Sequence, residues 1–149
     1  MSEILFYHLQ NQSLEQALPG LVAKCLEREW AVVIQCGSQE RCQALDTHLW
    51  TFREDSFLPH GTASDDYSEL QPVFITDTQD NPNSATVRFV VDRAQPPELD
   101  SYNRAVFMFD GHDQSAVSDA RTHWKRLQGT DASLTYWQQN EAGRWEQKA

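Results

Sequence analysis

Two nearly unbroken apolar runs, Ala31–Cys36 and Arg104–Phe109, constrain the fold of this chain more than any other feature. A strand with one wet face alternates apolar and polar residues, whereas a run without alternation needs both faces of its sheet covered. Each run gives way to a helical pattern, and the same alternation recurs along the chain. Ile4–Leu9 reads as a strand. Leu14, Leu18, Leu21, Val22, Cys25 and Leu26 then follow at helical spacing, with Ser13 and Gln16 set as a capping box. Pro19-Gly20 predicts a kink or a restart inside that helix. Ser38 to Thr51 reads as a second helix with Cys42, Leu45, Leu49 and Phe52 on one face. Val73–Thr76 and Val87–Val91 read as strands, separated by Asp, Asn and Pro turn signals between Asp77 and Ser84. A third helix spans Gln114 to Gln128. Leu134–Gln138, a turn at Asn140–Gly143 and Arg144–Glu146 end the chain as a strand or hairpin. Strands alternating with helices predict an α/β fold with a mostly parallel sheet. At 149 residues, with no linker or repeat, one domain over 1–149 is expected.

That fold class often binds nucleotides, so the glycines matter. There are 6, and none forms GxGxxG or GxxxxGK[ST]. Without a backbone cradle for phosphate at a helix start, no nucleotide cofactor is expected. GxSxG is absent as well. Cys25, Cys36 and Cys42 have no CxxC spacing; the first two read as buried thiols, and Cys36 with Cys42 lacks further ligands for zinc. Asp110-Gly111-His112-Asp113 ends a buried strand, where α/β sheets bind ligands. Asp110, His112 and Asp113 are therefore candidates for a metal-dependent hydrolase. The competing reading is a strand-ending Asp-Gly turn and a helix cap, which the missing nucleophile favours. His8, His48, His60 and His123 are scattered and read as packed or surface side chains.

Charge narrows the partners. The chain has 12 basic and 22 acidic residues, a net charge of −10. Direct contact with nucleic acid or an anionic membrane is disfavoured, since both need a basic face. The start of the sequence shows no signal peptide and no run is long enough to span a membrane, so a cytoplasmic location is expected. The charge is uneven: residues 104–149 hold 6 bases and 6 acids, so the whole −10 lies in 1–103.

Two surfaces are not explained by the core. Steps of about 100° place Trp50 roughly 140° from Leu45, off the apolar stripe of the second helix. Ser56–Gly61 follows, with Phe57, Leu58 and Pro59. Spacing leaves two readings open: an aromatic interface, or a loop folded back so that Phe57 or Leu58 covers Trp50. On the third helix, Ala116, Ala120, Trp124 and Leu127 form a core face. Val117, Arg121, Trp124 and Lys125 make a row, an apolar spot edged by two cations, to which Arg126 and Arg144 are candidates to add. Such a row suits a peptide with carboxylates and a bulky apolar end. A solvated face whose aliphatic stems cover Trp124 is the other reading.

The ordered set Phe6-Tyr7, Leu45-Asp46 through Leu49-Trp50, Ser56–His60, and Ala120-Arg121 through Trp124-Lys125 resembles the chi subunit of bacterial DNA polymerase III over nearly the whole chain. The resemblance implies a Rossmann-like three-layer fold lacking a phosphate-binding loop. It also implies a non-catalytic accessory of the clamp loader, with no cofactor. Its partners would be the psi subunit, in a heterodimer, and the acidic, Phe-ending tail of single-stranded-DNA-binding protein, with DNA reached only indirectly. Carried onto this sequence, the tail site is Val117, Arg121, Trp124 and Lys125, with Arg126 beside them. The psi-facing surface is Trp50, Phe57, Leu58 and Pro59. Val117 stands where another member has a base, which shifts weight onto Trp124. An adaptor for a different acidic-tailed partner, such as a helicase, uses the same row and is an alternative.

Overall fold

A computed structural model describes residues 3–10, 12–51, 61–62, 72–81, 83–99, 101–142 and 144–148, excepting the side chains of 48–51 and 61–62. Its elements in order are β1 (Glu3–Leu9), α1 (Leu14–Glu27), β2 (Val32–Gln35), α2 (Gln39–Thr51), β3 (Gly61–Thr62), β4 (Val73–Thr76), β5 (Val87–Val90), β6 (Arg104–Asp110), α3 (Gln114–Gln128), β7 (Ser133–Gln139) and β8 (Trp145–Gln147). They form one sheet ordered β3-β4-β2-β5-β6-β1-β7-β8. Every pairing is parallel except that of β7 with β8, the predicted terminal hairpin. The predicted α/β class holds, and each predicted strand and helix is present within a residue or two. The two-residue edge strand β3 is an addition, falling where only a loop was expected.

Both sheet faces are buried, as the unbroken runs require. On one, Leu18, Val22 and Cys25 of α1 and Cys42 and Leu45 of α2 pack on Val32, Ile34, Ile75 and Phe89. On the other, Ala116, Ala120 and Leu127 of α3 pack on Ile4, Phe6, Ala105 and Phe107. All three cysteines are free and buried. Ser13 and Gln16 form the predicted capping box: Ser13 Oγ accepts from Gln16 N at 3.3 Å, and Gln16 Oε1 accepts from Ser13 N at 2.9 Å. The predicted restart at Pro19 does not occur; α1 runs through it. Proline forgoes one bond, to the carbonyl of Glu15, and the burial of Leu18, Pro19 and Val22 offsets that loss.

One charged side chain lies inside. Arg88 on β5 is fully buried, yet all five of its N–H donors are used. Its Nε and Nη2 donate to Gln35 Oε1 at 3.1 and 2.8 Å, and Nη2 also reaches Thr78 O at 2.8 Å. Nη1 donates to Asp80 O and the Tyr102 hydroxyl, both at 3.0 Å. Burial pulls its pKa down, against the opposing pull of Tyr102 and Asp80. No carboxylate pairs with it among the described residues. One guanidinium thus ties the 77–81 segment and Tyr102 to the sheet.

Candidate binding surface on helix α3

Asp113 starts α3: its Oδ1 accepts from Ser115 N at 3.0 Å and Ala116 N at 3.3 Å. Lys125 and Arg126 in the last turn complement the helix dipole. The small side chains of Ala116 and Ala120 face the sheet and let the helix lie close to it. Trp124 can therefore reach in beside β1 and β7. Its ring meets Phe6 edge-on at 5.3 Å and Tyr136 at 6.0 Å. Trp124 and Val117 remain half-buried, while Arg121 and Lys125 are exposed alongside them. Four of the protein's other cations (Arg41, Arg93, Arg104 and Lys148) are bound to carboxylates. Arg121 and Lys125 have no such partner among the described residues.

The floor of this surface includes two residues that sequence reasoning missed. Tyr136 of β7 lies beside Trp124, and its hydroxyl is 2.6 Å from His8 Nδ1. Arg121 acts electrostatically on both groups, which puts its guanidinium on the β7 flank of α3. Burial raises the Tyr136 pKa, so its hydroxyl stays a hydrogen-bonding group rather than an anion. His8 Nε2 is buried without a hydrogen-bond partner, and a Cβ on Gly111 would come within 2.0 Å of it, so only glycine fits there.

The flank opposite Tyr136 is different. Arg126 Nη2 lies 3.2 Å from His123 Nδ1, and His123 stacks on Phe107 at 5.0 Å. Arg126 lines a cavity with Pro96, Pro97 and Tyr102. It lies roughly 140° around the helix from Arg121, so the structure does not bring it together with Val117, Arg121, Trp124 and Lys125.

Burial, with lesser pushes from neighbouring cations, holds the His8 and His123 imidazoles below the ordinary 6.5. Both bind a proton more readily in the unfolded chain, so their contribution to stability is complete above about pH 6.5 and declines as pH falls below it. Tm is expected to drop between about pH 7 and 5.5, ahead of general carboxylate protonation, and less so in His123→Gln. A Tm that stays flat across that window in the wild type would contradict this.

The Asp110, His112 and Asp113 candidates are occupied locally. Asp110 Oδ1 accepts from His112 N at 2.9 Å, His112 Nε2 lies 2.9 Å from Gln10 O, and Asp113 caps α3. Among the described residues no three ligating side chains cluster for a metal. A crevice of about 700 Å³ opens beside them at the carboxyl ends of β1, β2, β5 and β6, where this fold class places its ligands. Arg41 spans it, bound to Glu15 Oε1 at 2.6 Å and Asp92 Oδ2 at 3.0 Å, while Arg93 binds Asp119 at 2.6 Å. Carboxylates thus hold the cations that a phosphate would need. Volume favours this crevice as a site; its chemistry argues against an anionic ligand, and the α3 surface is the better candidate.

Comparison with known proteins decides the family. A family model described as DNA polymerase III chi subunit, HolC, matches residues 1–135. The chain belongs to the chi subunit family of DNA polymerase III. That family is a non-catalytic accessory subunit of DNA polymerase III. The chain is also 32% identical over 91 residues to a probable DNA polymerase III subunit chi of Rickettsia prowazekii (strain Madrid E). That match covers 61% of this chain and about half, 55%, of the relative. The matched family segment contains all of α3 and His8, while Tyr136 lies one residue beyond it. Of the other predicted surface, Trp50 falls in the last turn of α2 with its side chain outside the described residues. Phe57, Leu58 and Pro59 lie outside them altogether. No helix among the described residues is long and apolar enough to cross a membrane.

Proposed function

We propose that this chi-family subunit is an adaptor that holds the acidic, Phe-ending tail of single-stranded-DNA-binding protein on the β7 flank of α3 while psi holds it to the clamp loader. The observation carrying this reading is that Arg121 and Lys125 stand uncompensated beside a half-buried Trp124, in a protein of net charge −10. Arg121 takes a carboxylate of the tail in a two-pronged hydrogen-bonded pair, and Lys125 adds a point charge one turn on. The Phe ring of the tail packs on Val117 and Trp124, against the Tyr136 edge. The tail needs both its acids and its ring, because neither an exposed ion pair nor one ring alone gives useful affinity. An acidic body discourages DNA from approaching directly, so the adaptor reaches DNA through the protein that coats it.

The Trp124 indole N–H signal is expected to shift on titration with an acidic, Phe-ended peptide, while those of Trp137 and Trp145 stay in place. Movement of Trp137 or Trp145 without Trp124 would put the tail elsewhere. The psi-facing surface is Trp50 with Phe57, Leu58 and Pro59, supported by the unexplained position of Trp50 off the core stripe of α2. Trp50→Ala is expected to abolish co-purification with psi, since aromatic anchors carry about 2–4 kcal/mol in interfaces. Undiminished pairing would move that interface away from α2.

A further inference from the structure

The sheet is covered unevenly at its β8 end. Helix α1 packs on β2 and β6, while α3 packs on β6 and β7 from the opposite face. On the α1 side, the helix lies mainly over β2 and β6, and Trp137 of β7 and Trp145 of β8 pack only partly against the core beneath it. That stretch is nonetheless aromatic. Tyr7 and Trp137 are neighbours in register, their rings near-parallel at 6.5 Å, and Tyr7 meets Trp145 edge-on at 4.7 Å. All three remain half-buried.

The flank of α1 that overlooks this strip is basic. A cleft of about 110 Å³ separates Tyr7 from the helix and is lined by Leu21, Lys24, Arg28 and Arg104 among others. Lys24 and Arg28 stand one turn apart, exposed, with no carboxylate partner among the described residues. Arg104, by contrast, is bound to Glu3 at 3.1 Å. Arg28 and Arg104 each lie 5.0 Å from the Trp30 ring, which steadies both side chains.

We propose that this face docks an amphipathic helix of a protein partner, with its apolar side on Tyr7, Trp137 and Trp145 and carboxylates along the edge facing Lys24 and Arg28. The width fits: from β1 to β8 is two strand spacings, about 10 Å, which is one helix diameter and the usual distance between neighbouring packed helices. The sign fits too, since two uncompensated cations at i and i+4 match acids spaced along a parallel or antiparallel helix. Layered α/β folds cover such a face with a helix of their own, and here a partner supplies it. The face lies on the side of the sheet opposite α3 and at the end away from β3, so it stands independently of the tail and psi assignments.

The test uses the full chain and a synthetic helix roughly 16 residues long, with Leu and Ala on one side and Glu along both edges. The indole N–H signals of Trp137 and Trp145 are expected to shift saturably while Trp124 stays in place. The double variant Lys24→Glu with Arg28→Glu is expected to weaken binding about tenfold or more, and exchanging Glu for Lys in the peptide to abolish it. Lys24 lies in the last turn of α1 and Arg28 is its C-cap, both with exposed side chains, so an unchanged Tm checks the fold. Absence of the shift, equal affinity in the double variant, or equal response to the Lys peptide would overturn the proposal. So would saturable occupation of the same two indoles by oligothymidine, or a concentration-dependent dimer that Trp145→Glu dissolves.

Discussion

Replacing Arg88 by Met is expected to lower the stability of the fold by about 2–4 kcal/mol, since its buried neutral acceptors lose a donor at roughly 1–3 kcal/mol each. The side chain is fully buried and sits in the middle of the sheet. Methionine fills much of the same volume, so the loss is mainly of hydrogen bonds rather than of packing. Gln35 Oε1, the carbonyls of Thr78 and Asp80, and the Tyr102 hydroxyl would all lose their donor. Lysine restores the charge but has three donors on one point, so it cannot span acceptors on β2, on the 77–81 segment and on Tyr102 together. Urea unfolding should show both variants strongly destabilised, with Arg88→Lys no better than half rescued. A loss below about 1 kcal/mol for Arg88→Met would mean the network is dispensable.

The second large effect is on binding. Arg121→Ala is expected to weaken the acidic Phe-ended peptide by about ten- to a hundredfold, and Lys125→Ala by roughly threefold to tenfold. Arginine carries more because its planar fork makes two directed bonds to one carboxylate, whereas an exposed lysine contributes a screened point charge. The two losses should shrink together as salt is raised. Omitting the terminal Phe should cost at least as much as Arg121→Ala, because the ring covers Val117 and Trp124, which are left half-exposed in the free protein. Neither variant should change Tm appreciably, since both side chains are exposed.

Much of this molecule was legible in its sequence, and the exceptions have physical causes. The unbroken run before Asp110 announced a strand buried on both faces, and the helical pattern from Gln114 to Gln128 matches the observed ends of α3. Rotation by about 100° per residue put Val117, Arg121 and Trp124 on one flank, because that arithmetic needs only the helix. Charge alone groups Arg126 with that row, although the same rotation sets it about 140° from Arg121. β3 escaped notice because a strand of two residues has no periodicity. The break expected at Pro19 did not appear, because burial of Leu18 and Val22 outweighs one missing backbone bond.

Contacts between distant segments were harder to foresee. His8 and Tyr136 are 128 positions apart and meet only because β1 pairs in parallel with β7, a choice set by the crossover through α3. Alternation along β7 does put Leu134 and Tyr136 on one face, and that was the available signal. Arg88 lay inside a strand whose other residues are apolar. A lone cation there reads as an outward-facing position until its carbonyl partners on the 77–81 segment are seen. The uncompensated state of Arg121 and Lys125 likewise emerges only when the ion pairs of the other cations are known.

Titrating the acidic Phe-ended peptide into the wild type and into Arg121→Ala with Lys125→Ala, at low and high salt, tests the adaptor account most directly. Saturable binding by the wild type that weakens with salt is expected, with near-complete loss in the double variant and its Tm retained. Equal affinity of the two proteins for the peptide would contradict it.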